Sequence, residues 1–152
     1  MPHQPQRVEV TLETLFDSVN MAEDICLRIA ESAGFSEDDC HKISMAVHEA
    51  VINAFRYGNE EQRHKKITVV VELDAEMFVI HVVDQGRGFN LADIPDPLAE
   101  ENLLKPSGRG IFLMRAFMDE FDVRRSSEGG AEIVMAKRLP PSSKEASARG
   151  SI

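Results

Sequence analysis

The chain has 152 residues, 43% of them apolar, which is enough for one packed domain of ordinary size and too little for two. Its 26 acidic against 17 basic residues leave a formal charge of −9, which argues against a phosphate-backbone surface and so against a direct nucleic-acid partner. The start lacks the apolar core of a signal peptide and no run approaches the roughly 18 apolar residues that span a bilayer, so a cytoplasmic protein with no membrane association is expected.

Residues 7–12 alternate and read as a short strand. Leu15, Phe16, Val19, Ala22, Cys26, Ile29 and Ala30 then recur at helical spacing until Gly34 stops the pattern. Ser36 with Asp39 three residues on forms a variant capping box, and a second helix runs to about Arg56 before Gly58 and Asn59 break it. Two β-rich runs, 66–74 and 77–84, lie close enough for a hairpin. Residues 85–107 hold three prolines and little periodicity, the signature of a long loop, with 90–107 expected as a lid. A helix over 110–118 follows, then strands 121–126 and 131–139 around a Gly-Gly turn. Cys26 and Cys40 stand far apart with no second pair, and read as reduced core thiols rather than a zinc ribbon.

This order predicts an α/β (α+β) two-layer sandwich, with a mixed, mostly antiparallel sheet and its helices on one face. A single domain is expected over 1–139, with a disordered polar tail over 140–152. Neither a P-loop nor a G-x-G-x-x-G opening a helix after a strand is present.

Three short stretches carry candidate chemistry. In 48–59, HEAVINAFRYGN, Ile43, Ala46, Val47, Ala50, Val51 and Ala54 share one arc of the second helix at about 100° per residue, and Glu49 and Asn53 fall together on its border. Spacing alone fits equally a solvated glutamate and a helix-breaking asparagine. His48-Glu49 begins a zinc-protease pattern, but Ile52 stands where the second histidine is needed. Asp84 is in phase with Phe78, Ile80 and Val82, so its carboxylate is aimed at the core side and needs donors. The D-x-G-x-G of 84–88 lets the backbone approach a ligand, although alone it is also an ordinary turn after a strand. In KPSGRGIFLMRAF, Gly108 and Gly110 are placed at the start of a helix, where free amides make an anion site and Arg109 adds a guanidinium. Ile111, Leu113, Met114 and Phe117 read as core.

Together E-x-x-x-N-A (49–54), D-x-G-x-G (84–88) and S-G-x-G (107–110) resemble the N, G1 and G2 boxes of the Bergerat-fold (GHKL) ATPases, the group of gyrase, histidine kinases and the mismatch-repair ATPase. The phrases SMAVHEAVINAFRYGN, ENLLKPSGRGIFLMRAFMDEFDV and AEIVMAKRL are similar to the anti-sigma-factor serine kinases of bacterial partner-switching systems, over about residues 8–139. The resemblance implies ATP and Mg²⁺ as cofactors. It gives Asn53 an oxygen on the metal, Glu49 the role of general base, and Asp84 the exocyclic amino group of adenine. Gly86 and Gly88 would line the base pocket, and Ser107, Gly108 and Gly110 would cradle phosphates with Arg109 as a further contact. The implied partners are an anti-anti-sigma protein, phosphorylated on serine, and a sigma factor held inactive. A nucleotide-dependent binding module with little phosphotransfer, or a switch kinase acting on another regulator, is the alternative. Dimerisation, common among such proteins, is left open because no exposed apolar seam marks it. One departure stands out: relatives often carry Gly-Thr at the start of the last strand, and this chain reads Gly129-Gly130-Ala131, which implies weaker ATP binding.

Overall fold

The computed structural model describes residues 5–86 and 106–141. The first strand, β1 (Gln6–Glu13), leads into α1 (Phe16–Ser32) and α2 (Glu37–Asn53), which is prolonged by a π-helical turn over Ala54–Gly58. Strands β2 (Lys66–Leu73) and β3 (Met77–Val83), helix α3 (Pro106–Phe117), and strands β4 (Glu120–Arg125) and β5 (Ala131–Arg138) complete the described elements. Of the lid expected over 90–107, residues 90–105 lie outside the described residues, as do Gly88 and the tail from 142, while 106 and 107 open α3 instead.

Local chemistry sets the boundaries. Gly34 adopts φ +93°, and its N–H and that of Phe35 return to Glu31 O and Ala30 O at 3.1 and 3.3 Å, a Schellman closure of α1. Ser36 Oγ accepts the Asp39 N–H at 3.1 Å, and Glu37, Asp38 and Asp39 place negative charge at the positive end of the α2 dipole. Asp74 Oδ1 accepts the N–H groups of both Glu76 and Met77 at 2.7 Å, closing the β2–β3 hairpin and holding its own pKa below the ordinary value. Helix α3 begins at Pro106, four residues ahead of the sequence expectation, because proline's fixed φ suits the first helical position.

The sheet order is β1-β2-β3-β5-β4, and each of its four pairings is antiparallel. The mixed, mostly antiparallel sheet expected from sequence is thus antiparallel at every described pairing. The two hairpins stand side by side through β3 and β5. All three described helices press one face of the sheet: Val19, Ala22 and Cys26 from α1, Ile43, Val47 and Val51 from α2, and Met114 from α3 meet Ile67, Val69, Phe78, Ile80 and Met135, all at most 1% exposed. Each such large side chain contributes about 1.5–3 kcal/mol, against about 1 kcal/mol for a helix cap, so the interlayer core carries the fold. Cys26 and Cys40 are free and buried, and burial pushes the Cys26 thiol up to about 12. The other sheet face bears a polar ladder in which His81 bridges Glu72 and Glu132 at 3.5 and 2.9 Å. No described helix is long and apolar enough to cross a membrane.

Candidate functional site

The apolar arc of α2 is fully buried at Ile43, Ala46, Val47, Ala50 and Val51, and Glu49 and Asn53 border it as the spacing predicts. The Glu49 side chain is 15% exposed and Asn53 is 9% exposed, so neither is a solvated surface group. Among the described residues no partner hydrogen-bonds the Asn53 amide. His48 turns instead to Glu23 of α1, Nδ1 to Oε2 at 3.0 Å.

Helix α3 packs directly over this border. A Cβ at Gly110 would stand 3.0 Å from Glu49 Oε2 and 3.4 Å from Asn53 Nδ2, so a side chain here would crowd the ends of both polar groups, and the bare backbone leaves them where they are. Buried Ile111 and Met114 pin α3 in that position. The exposed Arg109 guanidinium lies 4.0 Å from Glu49 Oε1. The early helix start changes one expectation. Ser107 and Gly108 fall in the first turn, where amides have no intrahelical acceptor, whereas Gly110, fifth in the helix, stands within reach of one. Its contribution is closeness rather than an amide.

The other end of the site is Asp84. Its N–H donates to Ala131 O at 3.0 Å, extending the β3–β5 ladder by one residue, and its Oδ1 accepts the N–H groups of Gly86 at 2.9 Å and Ala131 at 3.0 Å. Oδ2 has no hydrogen-bond partner among the described residues. Asp84 is 5% exposed, and burial raises its pKa, opposed by the Ala131 and Gly86 amides and by the nearby Lys65 charge. A Cβ at Gly58 would overlap the Asp84 carboxylate, and one at Gly86 would overlap the Gly58 carbonyl. From sequence, Gly58 and Asn59 mark only the end of a helix; in the structure both sit against the Asp84 turn. The Gly-Asn pair reads in sequence as a helix stop and gives no sign of this second role.

Asn53 directly precedes a single π-helical turn that ends on Gly58, so the Glu49–Asn53 edge and the Asp84 turn are joined by five residues of continuous backbone. Such π-turns cluster at functional sites. The donor set fits a magnesium nucleotide: one neutral amide oxygen, first-turn amides opposite, and a buried carboxylate acceptor. Among the described residues no group of three His, Cys, Asp or Glu side chains could hold a metal. A cation beside Asn53 would draw its other ligands from phosphate and water.

Residues 12–137 match the histidine kinase-like ATPase domain, and the chain belongs to that family. Within it the chain is an anti-sigma kinase-like member of the GHKL group. It is 27% identical over 143 residues to the serine-protein kinase RsbW of Halalkalibacterium halodurans, covering 90% of this chain and 86% of the relative. It is 33% identical over 107 residues to the anti-sigma F factor of Bacillus subtilis, covering 69% and 73%. The fold matches the crystal structure of the RsbU and RsbW domains of Rv1364c from Mycobacterium tuberculosis with a TM-score of 0.62 at 19% identity, over 90% of this chain and 34% of that one.

Proposed function

We propose that the protein is an ATP- and Mg²⁺-dependent anti-sigma regulatory factor with serine kinase activity, acting in the cytoplasm on an anti-anti-sigma partner and sequestering a sigma factor. The observation that carries this is the apposition of α3 to the Glu49–Asn53 edge at Gly110, which supports a phosphate-binding role for the first turn of α3 and a base role for Glu49 beside it. The names of the relatives, anti-sigma F factor and serine-protein kinase, support the same reading.

Bound ATP–Mg²⁺ would supply the transferable γ-phosphoryl group. Asp84 Oδ2 accepts the adenine amino group, which guanine replaces with a carbonyl. Gly86 shapes the base pocket beside it, with Gly88 next along the chain. Ser107 and Gly108 direct first-turn amides at the phosphates, and Arg109 adds charge. Asn53 offers its amide oxygen to the cation. Glu49 would accept the proton of the partner's serine hydroxyl as that oxygen bonds to the γ-phosphorus and the bond to ADP breaks.

A second reading, a nucleotide-dependent binding module with little phosphotransfer, is favoured by the Arg109 guanidinium standing 4.0 Å from the base it would have to release. One experiment separates the two. Proteins recovered by pull-down in the presence of ATP are incubated with the kinase, Mg²⁺ and γ-labelled ATP. Label on a serine of the recovered antagonist supports the kinase; ATP-dependent capture without label supports the module.

A further inference from the structure

We propose that Asn59 is a positioning residue for base selection. By holding the Asp84–Gln85 peptide it sets the direction of Asp84 Oδ2, and through it the preference for adenine over guanine. This rests on the nucleotide-site reading above.

Asn59 is fully buried and uses both ends of its amide. Its Nδ2 donates to Thr14 Oγ1 at 2.8 Å and to Lys66 O at 3.0 Å, while its Oδ1 accepts the Gln85 N–H at 2.7 Å. The Thr14 hydroxyl donates in turn to Lys65 O at 2.6 Å, and Gln85 Oε1 accepts the Lys66 N–H at 2.6 Å. The bonds to Thr14 and Lys66 tie the chain after α2 to the ends of β1 and β2, and would serve stability alone. The bond to Gln85 is different, because it reaches the turn that carries the base acceptor.

The peptide between Asp84 and Gln85 is planar, so fixing its N–H fixes the Asp84 carbonyl on the opposite side. There it lies against Gly130, where a Cβ would overlap it. Ala131 holds Asp84 N–H and Oδ1 from the strand side. Asp84 is thus held from two directions, its carboxylate by the Ala131 and Gly86 amides and the peptide that follows it by Asn59, and only Oδ2 is left to a ligand. Loosening the Asn59 side would let Oδ2 wander without disturbing phosphate contacts made from α3. Adenine's donor would lose its aligned acceptor, while guanine, which has no donor there, would lose nothing.

The test measures Kd for Mg-ATP and Mg-GTP by calorimetry, with melting temperatures, on the intact wild-type chain, Asn59→Leu and Thr14→Val. Expected are a clear ATP preference in the wild type, an ATP-over-GTP ratio at least tenfold smaller in Asn59→Leu, and a Thr14→Val that melts lower with its ratio unchanged. Asn59→Ser, too short to reach the Gln85 N–H, carries the same test should the leucine variant not fold. A wild-type ratio kept in the folded Asn59 variants would overturn this inference alone. A wild type that binds no ATP would overturn the nucleotide site, and this inference with it.

Discussion

Gly110 passes Glu49 with no side chain between them, and a Cβ there would stand 3.0 Å from the Glu49 Oε2. The atom it would meet is the far end of a flexible side chain, so Gly110→Ala moves the carboxylate and leaves the helices in place. Alanine also gains about 0.5–1 kcal/mol over glycine inside a helix. The expected variant melts at the wild-type temperature or above it and transfers phosphate about 10- to 100-fold more slowly, the cost of misplacing a catalytic group by a fraction of an ångström to one ångström. Wild-type transfer at wild-type stability would show that the position of Glu49 does not matter to the chemistry.

Glu49 itself is the next prediction. Glu49→Gln keeps the shape and removes the proton acceptor, so ATP binding stays close to wild type while transfer falls by about 10²–10⁴-fold. Equilibrium binding with a fluorescent nucleotide, alongside a labelled transfer assay, reads both. Native-rate transfer by the glutamine variant would exclude Glu49 as the base.

Asp84 is expected to link nucleotide binding to pH. Burial raises its pKa above the ordinary aspartate value of 3.8. A group whose folded pKa is raised stabilises the fold fully below its unfolded value and loses that contribution as pH rises through the folded one. At pH 7 the wild type therefore bears the full cost of a buried carboxylate, and Asp84→Asn is expected to melt higher, with the gap closing as the buffer is taken down towards pH 3.8. The same variant loses a charge-assisted acceptor worth about 1.5–3 kcal/mol, or about 10- to 100-fold in ATP Kd. Higher melting at neutral pH with unchanged ATP affinity would keep the electrostatic account and remove Asp84 from adenine recognition.

Ala131 places its N–H on Asp84 Oδ1 but brings no hydroxyl. Ala131→Thr adds one at the start of β5, in a strand position that suits a β-branched residue. One new hydrogen bond, worth about 1 kcal/mol, tightens ATP binding about fivefold. Titration of the threonine variant tests it, and unchanged or weaker binding would mean that the hydroxyl does not meet the nucleotide.

The layered architecture was legible because period and punctuation agree along the chain: Val19 to Ala30 and Ile43 to Val51 repeat at helical spacing, Gly34 and Ser36 mark the join, and both hairpins alternate. The Glu49–Asn53 border was legible for the same reason, since helical phase fixes which residues share an edge. The start of α3 was not, because apolar periodicity begins at Ile111 while the first turn is set by Pro106, whose preference for the first helical position is a backbone property. Asn59 was hidden for a deeper reason. Gly-Asn after a helix is an ordinary stop signal, and what buries it here is convergence of Thr14, Lys66 and Gln85, which lie up to 45 positions away in sequence. Long-range satisfaction of a polar side chain leaves no periodic trace.

The chain does not leave α2 as an ordinary helix would. The Asn59 N–H reaches back five residues, to Ala54 O at 2.8 Å, so the backbone takes one surplus residue before it escapes. That surplus works as a phase shifter: deleting any one residue of the widened coil would rotate the downstream backbone by about 100° around the axis and swing Gly58 off the carboxylate it touches. Insertions and deletions in this stretch should therefore silence the protein even when every polar side chain survives, because here the count of residues, as much as their kind, sets where Gly58 meets Asp84.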